Sequence, residues 1–167
     1  MPSPKAVLLL LACCLALLAP PARADAPIPI AVFPFTIQDT SGTQAAGRAE
    51  RLAAATRLLA KTLAQTGRYK PVDLAPYGQQ IAALQPPDEC GECWAALARK
   101  AGATQMILPS VQMVSVLISQ MTMWVADVDT MKYLRHIQGQ IRGDTTEAYT
   151  RGIEFLVNDE LMKAPRG

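Results

Sequence analysis

The residues of this chain best equipped for chemistry are two cysteines three apart, Cys90 and Cys93, within Pro-Asp-Glu-Cys-Gly-Glu-Cys-Trp at 87–94. At the start of a helix such a pair has three uses. Unpaired amide N–H groups and the helix dipole favour thiolate, which would make the pair a redox centre. Two thiolates can supply half of a tetrahedral metal site. The sulfurs can also join and fasten the first helical turn. Local charge opposes the first use, because Asp88, Glu89 and Glu92 crowd the pair and disfavour a further negative charge. Zinc needs two more ligands, and His136 is the only histidine. Covalent haem would need histidine where Trp94 stands. The expected state is a structural disulfide, Cys90–Cys93, whose four-residue loop stabilises by only about 2 kcal/mol. The alternative is a thiol–disulfide oxidoreductase, although redox enzymes of the thioredoxin type launch the motif straight from a strand, and here Pro86 and Pro87 intervene.

Other groups offer less. Met106, Met113, Met121, Met123 and Met131 crowd one region and could hold Cu(I) beside Trp124 and His136. If Asp127 faces Met131 across a turn, however, Met121 and Met123 share a strand face with Arg135 and Ile137, and Trp124 and His136 take the other. Methionine filling a sheet core is the commoner arrangement, so copper binding ranks last. A lone histidine builds no Ser-His-Asp site, and Asp127 with Asp129 reads as turn chemistry. Arg142-Gly143-Asp144 spells an adhesion tripeptide, here read as chance, and no glycine-rich phosphate loop is present. The expectation is therefore no catalytic residue, no metal site and no cofactor.

The elements that must position these residues follow from periodicity. Ile28–Ile37 holds the β-prone run Ile30-Ala31-Val32-Phe33, with Pro34 near its end. From Ala45 to Thr66 the apolar Leu52, Ala55, Leu59 and Leu63 form one helix face, stopped by Gly67; Arg48, Glu50, Arg51 and Lys61 read as its solvated flank. Tyr69–Leu74 is extended, and 75–85 holds a helical turn or two. A helix capped by Asp88 runs to Ala101, with Trp94, Leu97 and Ala101 on one face. Strands follow over Met106–Leu117, Ile118–Ala126 and Met131–Arg142, the first two also readable as one long bent strand. Asp144-Thr145-Thr146-Glu147 has the form of a capping box opening a last helix with Tyr149, Ile153, Leu156, Val157 and Leu161 at helical spacing.

Export is written at the N-terminus. Lys5, a 14-residue apolar run from Ala6 to Ala19, and Ala22-Arg23-Ala24 make a signal peptide cleaved after Ala24. The run is shorter than the roughly 20 residues a membrane span takes, so no transmembrane anchor is expected after cleavage. Of the 16 basic residues, Lys5 and Arg23 leave with it, so the mature chain balances 14 against 14 acidic residues. Nothing in that balance selects nucleic acid or an anionic membrane. Residues 1–24 are read as signal peptide, 25–27 as linker, 28–163 as one domain and 164–167 as tail.

Taken together, IAVFPF, GRYKPVDL, CGECWAALARKAGA, VSVLI and RGDTTEAYTRGIEFLVNDEL resemble, in the same order, an uncharacterised family of exported proteobacterial proteins, a domain of unknown function. At fold level the chain is also similar to the amino-terminal domain of TolB and the periplasmic part of CsgG, which transfers no residue. Two positions depart from the pattern: Met131 stands where the turn after Asp129-Thr130 favours glycine, and Pro109 interrupts a strand. The fold class expected is α/β (α+β), a mixed β-sheet with helices mainly on one face, in the order β-α-β-α-β-β-β-α. The function expected is a non-enzymatic periplasmic module that binds another envelope protein through the uncovered sheet face carrying Trp124 and Leu134.

Overall fold

A computed structural model describes residues 26–42, 46–84, 86–87, 89–115 and 117–163. The expected signal peptide, the C-terminal tail and the proposed cap Asp88 lie outside the described residues. The chain runs β1 (Ile28–Val32), β2 (Thr36–Asp39), α1 (Arg48–Gln65), β3 (Tyr69–Pro71), a 3₁₀ turn (Ala75–Tyr77), α2 (Gly78–Ala82) and α3 (Gly91–Lys100). The second half is β4 (Gln105–Met113), β5 (Ser119–Asp127), β6 (Tyr133–Ile141), α4 (Thr146–Phe155) and a closing π-helical turn (Leu156–Leu161). The strands form one mixed sheet in the order β3-β1-β4-β5-β6, and β2 also pairs with β4.

What reads as one strand over Ile28–Ile37 is two. Val32 is partnered by Ile107 and Thr36 by Ser110, so four residue steps of one strand run beside three of the other. That extra residue is a bulge at Phe33-Pro34-Phe35, and it reverses the side-chain alternation. Phe33 packs into the core on one sheet face and Phe35 into the core on the other. The amide of Phe35 leaves the ladder and donates to Thr56 Oγ1 of α1 at 3.1 Å. Pro109 falls opposite this interruption, where the ladder has least need of a donor.

Met106–Ala126 is not one bent strand but an antiparallel hairpin, β4 against β5, with Leu108 opposite Trp124. Between β5 and β6 the register differs by two from a pairing of Asp127 with Met131: Trp124 faces His136 and Met123 faces Ile137. A slip of two leaves every side chain on its own face, so the expected division of Met121 and Met123 from Trp124 and His136 holds. The turn is closed by the Asp127 carboxylate, which accepts from the amides of Asp129 and Thr130 at 3.1 and 2.8 Å. Met131 adopts φ 58°, the left-handed conformation for which glycine is the usual choice.

Two cores flank the sheet. On the first face α1, α4 and the π turn bury Leu59, Leu63, Tyr149, Ile153 and Leu156 against Ile107, Met121, Met123, Val125 and Ile137. On the second, α3 covers one end: Trp94, Leu97 and Ala98 meet Ala31, Phe33, Met106 and Ala126, with Leu74, Tyr77 and Ile81 packed at the margin. The helices thus lie mainly on one face.

Candidate functional site

The sheet end beside α3 is hollowed. Pro34 cannot continue the β1 ladder, Pro86 and Pro87 cannot extend a helix, and Trp94 is fixed edge-on to Phe33 with ring centroids 4.7 Å apart. Between these stiff walls and the strands lies a groove of about 590 Å³. Its floor is Leu108, Pro109 and Ser110 of β4 with Trp124 of β5 and Tyr133 of β6, and its far wall is Thr36, Ile37 and Gln38 of β2. A second hollow of about 520 Å³ shares Pro34, Thr36 and Trp94, so that these residues form a ridge between two concavities. The groove lining is proline, aromatic, aliphatic, hydroxyl and amide. Such a lining offers contact area and a few hydrogen bonds, with no acid–base pair among the described residues that form it.

Trp124 and His136 stack face to face, centroids 3.6 Å apart and planes 6° apart, and Tyr133 leans on Trp124 at 4.9 Å. Tyr133, 64% exposed, was not singled out from the sequence, because the bulge that brings it beside Trp124 lies between Val125 and Ala126, where no glycine or proline marks it. Leu134 is exposed at 42% but does not line the groove.

Cys90 and Cys93 are joined by a disulfide, Cα atoms 5.4 Å apart. Cys90 occupies the N-cap position of α3, and the Cys93 amide donates to the Cys90 carbonyl at 3.2 Å. The bridge therefore closes the helix entry beside Pro86 and Pro87, and fixes the lip of the groove. The methionines do not converge: Met121 and Met123 fill the first core, while Met106 belongs to the second and Met131 packs against it.

The flank of α1 carries structure that its sequence concealed. Arg48 donates to Asp39 at 2.7 Å and to Asp144 at 2.9 Å, while Arg51 grips both Asp144 oxygens at 3.1 and 2.9 Å. This ties β2 and the N-terminus of α4 to α1. Burial works to raise the Asp144 pKa, but hydrogen bonds from Arg51 and Arg48 and their charges prevail, and the carboxyl sits below its ordinary value. Asp39 is lowered chiefly by the Ser41 hydroxyl and amide. Asp144 is consequently not the helix cap. That role falls one residue later, to Thr145, whose Oγ1 accepts from the Ala148 amide at 3.1 Å. Nearby, the Tyr149 hydroxyl is buried beside Asp144, and burial, then the charge of Asp144 and a hydrogen bond to it, pushes its pKa up to about 12.

The sequence signature of the DUF3280 family, described as proteins of unknown function (DUF2380), matches residues 29–161, from the first strand to the π turn. The chain belongs to that family. No curated protein matches it in sequence. Among solved structures, this DUF3280 domain is similar to the C-terminal domain of LpoB from Salmonella enterica, with TM-score 0.52 and 22% identity over 72% of this chain and 86% of that one. It is similar also to lipoprotein GNA1162 from Neisseria meningitidis, with TM-score 0.51 and 13% identity over 80% of this chain and 99% of that one. TolB from Acinetobacter baumannii matches with TM-score 0.46 and 12% identity over 83% of this chain and 29% of that one. For LpoB and GNA1162 the likeness, at these identities, is one of fold. No helix among the described residues is long and apolar enough to cross a membrane.

Proposed function

We propose that this domain is a non-enzymatic docking module of the cell envelope, exported and released after Ala24, which receives an extended apolar segment of another envelope protein in the groove between Trp94 and Trp124. The observation that carries the reading is the groove itself: about 590 Å³, walled by Pro34, Pro86 and Pro87 and floored by Trp124 and Tyr133. Stiff walls lose little entropy when a partner is bound, and amphipathic aromatics are the side chains that dominate binding energy at interfaces. The disulfide at the groove's lip supports the same reading, because a joined pair of sulfurs in an exported chain works as a fastener.

A photo-crosslinking residue placed at Tyr133 in intact cells tests it, with Arg57 on the exposed side of α1 as control. One discrete adduct is expected from Tyr133, none from Arg57, and the adduct should vanish in a Trp124→Ala background. Osmotic-shock release with N-terminal sequencing should return a chain starting at Asp25. A folded, exported protein that gives no adduct from any groove position overturns the docking reading. A chain retaining its leader in the cytoplasm overturns the location.

A further inference from the structure

On the sheet face that floors the groove, and continuing past it toward β6, pairing brings four glutamines into one row. Gln38 partners Gln112, Gln112 partners Gln120, and Gln120 partners Gln140, so one amide stands on each of four adjacent strands. At the usual strand spacing the row spans about 14 Å. The row beside it is Thr36, Ser110, Thr122 and Gln138, in register by the same pairings. All eight side chains are exposed or half-exposed, and the two rows are coupled by a hydrogen bond from Gln120 Nε2 to Gln138 Oε1 at 2.7 Å. Two residues further along the strands stands Trp124, held upright by its stack on His136.

Strand preference does not call for this pattern, since glutamine is not among the β-formers, and solvated strand faces ordinarily carry charge. Neither row holds an ionisable side chain. A charged peptide or polymer would find no counter-ion there, and an apolar protein surface would leave the amides unpaired at a cost. Each glutamine side chain offers an acceptor and two donors, which suits hydroxyl groups that both donate and accept. A repeated amide on neighbouring strands beside an upright aromatic plane therefore fits a ligand that repeats its hydroxyls and presents an apolar C–H face.

We propose that this face binds a linear, uncharged polysaccharide, with the glutamine row reading successive sugar hydroxyls and Trp124 supplying the stacking platform. The site shares Thr36, Gln38, Ser110 and Trp124 with the groove but not its proline walls, and it does not rest on the protein-docking reading. Affinity electrophoresis of the disulfide-intact protein tests it, using gels cast with hydroxyethyl cellulose or glycol chitin, and with polygalacturonate as the anionic control. At least one neutral polymer should retard the protein, added salt should leave that unchanged, and polygalacturonate should not retard it. Gln112→Ala and Gln140→Ala should each weaken binding about 5-fold, Trp124→Ala about 10-fold, and Arg57→Ala not at all. The glutamines are surface side chains, so they carry the test even if Trp124→Ala fails to fold. Absence of retardation by both neutral polymers, retardation that salt abolishes, or glutamine variants equal to wild type would each overturn the proposal. A crosslinked protein partner at Tyr133 without polymer retardation would overturn it and leave the docking reading standing.

Discussion

At the residue scale, electrostatics gives two opposite pH signatures. The Asp144 carboxyl is nine-tenths buried and held by two arginines, between the surface case, worth under about 1 kcal/mol, and the fully buried one, where losing a partner costs about 3–5 kcal/mol. Asp144→Asn should cost about 2 kcal/mol at neutral pH by urea titration. Because the folded pKa of Asp144 is depressed, its stabilisation is present above the unfolded value near 4 and is lost as pH falls through the folded value. The gap between wild type and Asp144→Asn should therefore close in acid. Tyr149 has the opposite sign: its pKa is raised to about 12, so its neutral form supports the fold below the unfolded value near 10, and that support fades between about 10 and 12. Since its hydroxyl is buried beside the Asp144 carboxylate, which Arg48 and Arg51 already hold, Tyr149→Phe should change stability by less than about 1 kcal/mol at pH 7. The same variant should flatten the alkaline limb of the thermal midpoint against pH. Equality of the two limbs would refute the assignment.

At the element scale, the approach of α4 to β6 depends on one glycine. A methyl group on Gly152 would lie 2.6 Å from Ile141 Cγ2 and 3.4 Å from the Met121 methyl, and a β-branched side chain in a strand has little room to turn away. Gly→Ala inside a helix ordinarily stabilises by about 1 kcal/mol. Here overpacking, typically about 1–3 kcal/mol, should outweigh that gain. Gly152→Ala is expected to lower the urea midpoint by a net of about 1 kcal/mol of stability, and a rise would show that α4 docks more loosely than described. The helices were legible from their apolar spacing because helical periodicity is local: α1 runs over Arg48–Gln65 within the expected Ala45–Thr66, and Leu59 and Leu63 are buried as read. The break between β4 and β5 was placed at Leu117–Ile118, but that it is a hairpin was not decided, since Val114, Leu117 and Ile118 at its tip are apolar and exposed and only Ser115, whose hydroxyl accepts from the Leu117 and Ile118 amides, marks the turn.

At the scale of the whole molecule, the two cores are unequal. The second core's buried members include Ala31, Ala95, Ala98, Ala103 and Ala126, whose small side chains bury little apolar area, whereas the first is built from leucine, isoleucine, valine and methionine. The α3 side should open before the rest. Hydrogen exchange at the amides of Gly91–Lys100 is expected to be faster than at β5, and reduction of Cys90–Cys93 should widen the difference without unfolding the domain, because the bridge contributes only about 2 kcal/mol. Uniform protection across both regions would contradict it.

Composition and local pattern alone determined the mixed sheet, the helix faces, the paired sulfurs and the separation of Met121 and Met123 from Trp124 and His136, because alternation and helical spacing act between neighbours in the chain. Only the tertiary structure decided the bulge at Pro34, the register that aligns Gln38, Gln112, Gln120 and Gln140, and the bonding of Arg48 and Arg51 to Asp144. Those depend on which strand lies beside which and by how many residues it is offset. Long-range pairing sets both, through contacts between residues far apart in the chain that no local period records.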